Sequence, residues 1–488
     1  MAEGIISRSL TRAKLNLGIK SNKESQIPGL YKKTNKYRSE KLEELNKYYL
    51  NKQYDGLVAW ETKGQDGQYV PVRQRKPRLI FPFAKVLSSR ITSKIVGKSN
   101  FPEFKTPDDP ETEQFFKAVL KASMLRSKLY DPLRSMCVTG SAFIRFYMVG
   151  GTIRTEWYNG NNCYPVFNAA GELDSIRIRY IYETPELDNT GKRIMRWFQL
   201  DLSSQVDVAY DNPEYNQNEE PKFEVVGRVA HGLGFVQGEW FRTSEDKHSP
   251  DGDSLVDGVL DFIDELNYNV SQSSSAVSYN QDPQLTLKGM DEEETENLIR
   301  SSTKSWNLGR EGEAGFVESS MNGVTIAGDL RDKVKVHIQD IARVVLLDPE
   351  KIVGNAQSAK AMEVMHGPMV ELIDEIRPFV EKSILKLIQK ISLVVLIQNK
   401  RGEQLPFNIP PGWQPSTLMP EVTWPPIFAM TMEDLQKKVG VASAVAGASI
   451  MSRETMTRWL AADFGVENIE EEVAKVASQP VINPFGAF

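Results

Sequence analysis

The stretch with the most chemical promise is Gly354-Asn355-Ala356-Gln357-Ser358-Ala359-Lys360-Ala361, where a glycine precedes a lysine at the spacing of a phosphate-binding loop. Such a loop needs a second glycine, so that backbone can approach the phosphates, and a Ser or Thr to hold magnesium. Those positions are Ala359 and Ala361. The loop should also follow a buried parallel strand, whereas the preceding "VHIQDIARVVLLDPEK" has helical spacing. No nucleotide site is expected. Ser358 reads instead as a helix N-cap, followed by the good helix formers Ala359 to Met362.

Other constellations fail in similar ways. His231, His248, His337 and His366 have no metal-ligand spacing among them. "DGDSLVD" begins like a calcium loop, but the required glycine is Val256 and no terminal glutamate falls in register. The carboxylates of 251–265 are expected on an exposed helix face rather than in a pocket, and Glu292, Glu293 and Glu294 read as a solvated face. There is no G-x-S-x-G and no Cys/His arrangement. The sequence therefore offers no catalytic, cofactor-binding or metal-binding residues, and the protein is not expected to be an enzyme.

The elements that would position any site follow from composition and periodicity. The 488 residues are long enough for several units, and the balance of 59 basic against 65 acidic residues gives a net charge of −6. A sequence-reading DNA binder needs a basic footprint, which this total denies. The distribution is uneven. Residues 1–40 and 71–105 are basic, and 245–265 hold eight acids against one lysine. Cys137 and Cys163 are too few for a disulfide framework, so reduced assembly in the cytoplasm is expected. The start "MAEGIISRSLTRAKLNLGIK" lacks the apolar core of a secretory signal. The run "ILKLIQKISLVVLIQ" is broken by Lys386 and Lys390 and is too short to span a bilayer.

After a polar, basic N-terminal stretch, a helix is expected from Ser39, and a second places Phe83, Leu87, Ile91 and Ile95 four apart. A third lies near 111–129. Between Gly140 and Val226 the period switches to two. "SAFIRFYMV", "IRTEWY", "CYPVF", "LDSIRIRYIY" and "RIMRWFQLDL" read as antiparallel strands, with "NAAGE" and "DNTGK" as hairpin turns. A helix over 253–281 carries Asp253, Asp257, Asp261 and Asp264 as one acidic stripe, and its second half is small and polar. It is followed by a short α/β insert. A further helix over 329–347 aligns Leu330, Val334, Ile338, Ile341 and Val345. The last long helix, 358–398, must kink at Gly367-Pro368 and at Pro378. "EVTW" is a strand in the proline-rich stretch 400–430, and 431–478 is helical. The fold class is α+β.

This order of elements, with "GSAFIRFYM", "NGNNCYPVFNAAGELDSIRIRYIYE", "HGLGFVQGEWF", "PQLTLKG" and "SAKAMEVM" in sequence, resembles the portal proteins of tailed bacteriophages over about residues 39–470. Family members often open the long helix with Ser-Gly-x-Ala, where this chain has Ser358-Ala359-Lys360-Ala361. The resemblance implies a portal-type fold and a ring, usually a dodecamer, at one vertex of the virion capsid, through which double-stranded DNA is packaged and ejected. It implies a basic N-terminal arm (1–40), a wing (41–245), a stem helix (246–281), a clip (282–326) and a second stem helix (327–347). A tunnel loop (348–357), the kinked wing helix with its return strand (358–430), a crown (431–478) and a tail (479–488) would follow. Expected partners are copies of itself, a large terminase that supplies the ATPase, head-completion, adaptor or tail proteins, and the major capsid or scaffold protein. Ile352, Val353, Gly354, Asn355, Ala356 and Gln357 would approach the moving duplex without gripping it. Lys351 either touches phosphates or caps the preceding helix. The acidic stripe would face either the tunnel, repelling phosphates, or a neighbouring subunit. The rival readings are another structural virion oligomer and a basic nucleic-acid-binding scaffold.

Overall fold

The computed structural model describes residues 30–60, 67–106, 109–216, 219–246, 249–281, 284–288, 313–317, 322–345, 359–402 and 407–478, except 414–419, 429–431, 449, 462–463, 465 and 467–468 within the last. Helices α1 (Leu30–Tyr49) and α2 (Phe83–Val96) come first, then strand β1 (Glu103–Lys105) and helices α3 (Pro110–Ala122), α4 (Leu125–Lys128) and α5 (Tyr130–Thr139). The α2 periodicity is realised, with Leu87, Ile91 and Ile95 fully buried. α1 starts nine residues before Ser39, and the expected third helix breaks at Met124, which holds a left-handed φ of 52°.

The β-rich unit follows as β2 (Ser141–Val149), β3 (Thr152–Asn159), β4 (Cys163–Phe167), β5 (Leu173–Leu187), β6 (Arg193–Ser203), β7 (Val206–Tyr210), β8 (Val225–Ala230) and β9 (Gly238–Arg242). They form a three-stranded sheet β3-β2-β9 and a five-stranded antiparallel sheet β4-β5-β6-β7-β8. The three-stranded sheet is the middle layer. On one side Ala142, Ile144 and Phe146 join the helical core; on the other Phe143 and Trp240 pack with Ile176, Ile178, Leu200 and Leu202 of the larger sheet. The larger sheet turns its other face to solvent, where Arg177 and Asp201 are cross-strand partners joined by two 2.8 Å hydrogen bonds.

Both expected hairpin turns are present, built by one device. Asn168 Oδ1 accepts the amides of Ala170 and Glu172, and Asp188 Oδ1 those of Thr190 and Lys192. Each turn closes through a glycine in the left-handed region, Gly171 at φ 76° and Gly191 at φ 78°. An Asx side chain that mimics the backbone and a glycine without a Cβ are what such turns require.

The remaining elements are α6 (Leu260–Gln281), the paired strands β10 (Gln284–Lys288) and β11 (Glu313–Val317), α7 (Asn322–Ala342), α8 (Ala359–Met365), α9 (Gly367–Lys400), β12 (Glu421–Thr423), α10 (Met432–Gly447), α11 (Arg453–Ala461) and α12 (Ile469–Ser478). β12 pairs with β1, tying the proline-rich return to the N-terminal helices. The long helix breaks at His366, just before Gly367-Pro368, and Pro378 lies inside α9. Lys390, which interrupts the apolar run, donates to Glu239 at 2.6 Å and to the Gly238 carbonyl at 2.8 Å, so α9 is held to β9 by a partly buried ion pair.

α7 starts at Asn322, seven residues before the expected 329, and two further helix limits differ from expectation for identifiable reasons. α6 begins at Leu260, after a 3₁₀ turn at Asp257–Val259, rather than at Asp253. The donors of 252–255 are spent elsewhere: the Gly252 amide on the Gly140 carbonyl, the Leu255 amide on Cys137, and the Ser254 hydroxyl on Val138. α7 ends at Ala342 because Arg343 turns left-handed at φ 52°, which buries Val344 completely.

Candidate functional site

The surfaces that matter are those around α6 and α7 and the chain between α7 and α8. The lead into α6 is fixed by a buried junction. Arg38 of α1 donates through Nε and Nη2 to Asp251 at 2.5 and 2.7 Å, and through Nη1 and Nη2 to the carbonyls of Cys163 and Gly160. Ser141 donates to the same carboxylate at 2.5 Å. The two charged side chains are only 10% and 8% exposed. Gly140, the left-handed C-cap of α5 at φ 80°, accepts the amides of Thr243 and Gly252, and a Cβ there would stand 2.0 Å from the Gly252 oxygen. Only glycine fits the crossing.

Several small polar residues of α6 have partners elsewhere in the chain. A strap formed by residues 50–60 and 67–82 lies along the helix. Asn267 and Ser271, both fully buried, accept the backbone amides of Phe81 and Leu79 at 2.9 and 3.1 Å. Trp60 Nε1 donates to Ser275, the Tyr268 hydroxyl donates to the carbonyls of Arg73 and Arg75, and Arg73 pairs with Glu265 while stacking on Tyr268. A leucine at 267 or 271 would leave a strap amide buried and unpaired, at a cost of about 1–3 kcal/mol.

The four aspartates are not a stripe on one helix. Asp253 precedes α6 and accepts the Ser244 hydroxyl at 2.8 Å. Asp257 lies in the 3₁₀ turn and pairs with Lys41 at 2.9 Å. Asp264 accepts the hydroxyls of Tyr48 and Tyr54 at 2.6 and 2.7 Å, and burial together with that carboxylate raises the Tyr54 pKa, so the phenol stays a donor. Asp261 is exposed on α6. Spacing gave these residues one face of a helix; it carried no sign that α1 and the strap would claim Asp257 and Asp264.

α7 packs on α6 through Val334, Ile338 and Ala342, yet leaves Ile326 and Val336 68% and 52% exposed, with Leu330 and Ile341 also open to solvent. Its end is anchored, as Arg343 Nη1 meets both oxygens of Glu375 at 2.8 and 2.9 Å and Arg90 donates to the Val345 carbonyl at 3.0 Å. Beyond the next segment, His366 is buried at the α8–α9 break, 5.1 Å from the Phe428 ring, with neither ring nitrogen hydrogen-bonded. Burial, then the nearby Lys94 and Arg90, push its pKa down. The intervening Lys351, Ile352, Val353, Gly354, Asn355, Ala356 and Gln357 lie outside the described residues, as do His248 and Glu292 to Glu294.

Among the described residues no cluster of His, Cys, Asp or Glu could hold a metal. Asp251 and Asp253 of the "DGDSLVD" stretch already accept protein donors. Burial pushes the Cys137 thiol up to about 12, and Cys163 is buried and shifted upward as well, so neither is a poised nucleophile. His231 faces Asp207 at 3.3 Å while its Nδ1 accepts the Leu233 amide, and His337 packs beside Phe262. No described helix is long and apolar enough to cross a membrane.

Residues 29–479 match the model of the family described as "Phage portal protein, SPP1 Gp6-like", and the chain belongs to that family. Solved structures that it resembles include a chain of "Virion of native gene transfer agent (GTA) particle", at 11% identity and a TM-score of 0.39, covering 78% of this chain and 89% of that one. A chain of "Neck of empty GTA particle computed with C6 symmetry" matches with the same values. No curated protein matches.

Proposed function

We propose that this chain is the subunit of a closed ring, a dodecamer, set at one vertex of a phage capsid, and that double-stranded DNA passes through its axis during packaging and ejection. The observation that carries the reading is the family match over residues 29–479. In this reading α6 and α7 are the stem, the strands and helices of 41–245 with 358–430 the wing, 282–326 the clip, and 431–478 the crown. Residues 348–357 are the tunnel loop. The exposed aliphatic residues of α7 support subunit packing, since a helix with apolar residues on more than one side is built to be covered on more than one side. The net charge of −6 supports passage over capture, because tight DNA binding comes from neutralised phosphates and released counterions. Asp261, exposed on α6, is suited to repelling phosphates, while Asp257 and Asp264 serve the subunit's own packing. The chain is a conduit, and a terminase hydrolyses the ATP. Adaptor, head-completion or tail proteins and the capsid or scaffold protein complete its contacts. Native mass spectrometry with negative-stain imaging tests the ring: closed rings with a central hole are expected, and a monodisperse monomer at high concentration across salt conditions would sink the reading.

A further inference from the structure

A groove runs along one side of the helical layer, between the end of α2, β1 and the α3–α4 corner, with Val466 and Ile469 at its margin. Its floor is apolar. Phe101, Leu120 and Tyr130 are half-buried there, and Met124 is 60% exposed at the left-handed corner. Its rim is basic, with Lys98, Lys105, Lys117, Lys121 and Arg126 exposed around it and Glu103 the acid among its described lining residues. Lys105 pairs with Glu103 at 3.0 Å and Lys117 with Glu113 at 2.6 Å. Lys98, Lys121 and Arg126 have no acidic partner among the described residues. Arg126 is held in place by the Lys98 carbonyl at 3.1 Å and by the Phe101 ring, 5.5 Å beneath it.

An occupant must answer both features. A nucleic acid would engage the cations through its phosphates and leave the floor wet. An amphipathic helix lays an apolar face on such a floor and offers charge at its edges. We infer that this groove docks an acidic amphipathic helix of a partner protein, its apolar face on Met124 and Leu120 and its carboxylates toward Lys98, Lys121 and Arg126. This goes beyond the ring reading and concerns a surface that each subunit carries.

The probe is a short labelled Leu/Glu helical peptide titrated with assembled full-length protein and followed by fluorescence anisotropy. A scrambled peptide of the same composition and a Leu/Lys peptide are the controls. The Leu/Glu helix alone should bind, and Lys98→Glu combined with Lys121→Glu should weaken it about tenfold or more. Met124→Glu should also weaken it, and because all three positions are exposed the variants should fold and assemble, as native mass spectrometry on the same samples checks. Equal binding of the scrambled peptide, or no change in the variants, overturns the inference. So does displacement of the peptide by a short DNA duplex that the same variants fail to bind, which would assign the groove to nucleic acid. Binding by dissociated subunits but not by rings would assign it to a neighbouring copy, and would equally overturn it.

Discussion

Ile178 of β5 and Leu330 of α7 are aliphatic residues in regular elements of one chain, yet the first is fully buried and the second is 42% exposed. The core between the two sheets of the β-rich unit finds its cover within the subunit. The middle sheet has the helices on one side and the five-stranded sheet on the other, and the exposed aliphatic residues Leu187, Val225, Val226 and Val229 lie at a strand end or on the edge strand β8. α7 has cover on one side only, from α6. α6 in turn has its polar side occupied by the strap. Burial of the core between the sheets is thus a property of the folded chain, whereas under the ring reading the open side of α7 is left to be covered by association. This fits an assembly in which subunits fold first and join second.

That contrast can be broken at points of decreasing consequence. The deepest is Arg38→Ala, which strands the buried Asp251 carboxylate at the join of α1, the two sheets and the lead to α6. Breaking a buried pair from one side should cost about 3–5 kcal/mol, read as a shift in the urea midpoint. Arg38→Met combined with Asp251→Leu should recover much of it, and equal losses in both variants would show that the junction matters only through packing.

Next, Ile178→Ala should cost about 2–5 kcal/mol in the same measurement, as a core cavity does. Leu330→Ala with Ile341→Ala should cost under about 0.5 kcal/mol per site in the dissociated subunit, as exposed substitutions do, while reducing ring yield. Intact rings at normal yield from the double variant would remove the contrast between the regions.

Asn267→Ala probes the strap. It deprives the buried Phe81 amide of its acceptor, and hydrogen exchange at Phe81 and Leu79 should quicken by a local free energy of about 1–3 kcal/mol while β5 and β6 keep their protection. Unchanged exchange at Phe81 would mean that the strap is held by its other contacts alone.

The smallest effect is a pH dependence at the α8–α9 break. His366 has a folded pKa below its ordinary 6.5, so above that value both folded and unfolded states are neutral and stability is at its plateau. As pH falls through and below 6.5 the unfolded chain takes up the proton first, and stability is lost toward the folded value. Arg90 and Lys94 of α2 oppose the charge, and Phe428 offers it no acceptor. His366→Phe should flatten this part of the stability–pH curve, and an identical slope in that variant would assign it to other groups.

The parts of the fold legible in the sequence are those decided by neighbours along the chain. "NAAGE" and "DNTGK" each carry an Asx residue and a glycine at the offsets their turns use, so both hairpins were readable, as was the break enforced by Gly367-Pro368. The strand-poor stretch 130–139 was not read as helix because α5 is buried on nearly every side, leaving no polar stripe to reveal a period. Of the candidate site, the aspartates were found but misplaced. The partners of Asp257 and Asp264, which are Lys41, Tyr48 and Tyr54, sit some two hundred residues earlier, and no spacing rule reaches that far. Asn267 and Ser271 were seen as part of a small polar helix half, but their service to the amides of 79 and 81 is visible only once the strap is in place.

The crossing at Gly140 has a consequence for the order of events during folding. One carbonyl there accepts amides from Thr243 and Gly252, residues that leave the ribosome only after the whole of β2 to β9. Contacts of such long sequence separation form late, because loop closure must precede any return from them. Under that rule the direction of α6, and with it the presentation of α7's open aliphatic side, is expected to be set after the sheets have closed. Under the ring reading this acts as a checkpoint: the sticky surface is displayed in its joining geometry by finished subunits, and half-folded ones are kept out of the ring.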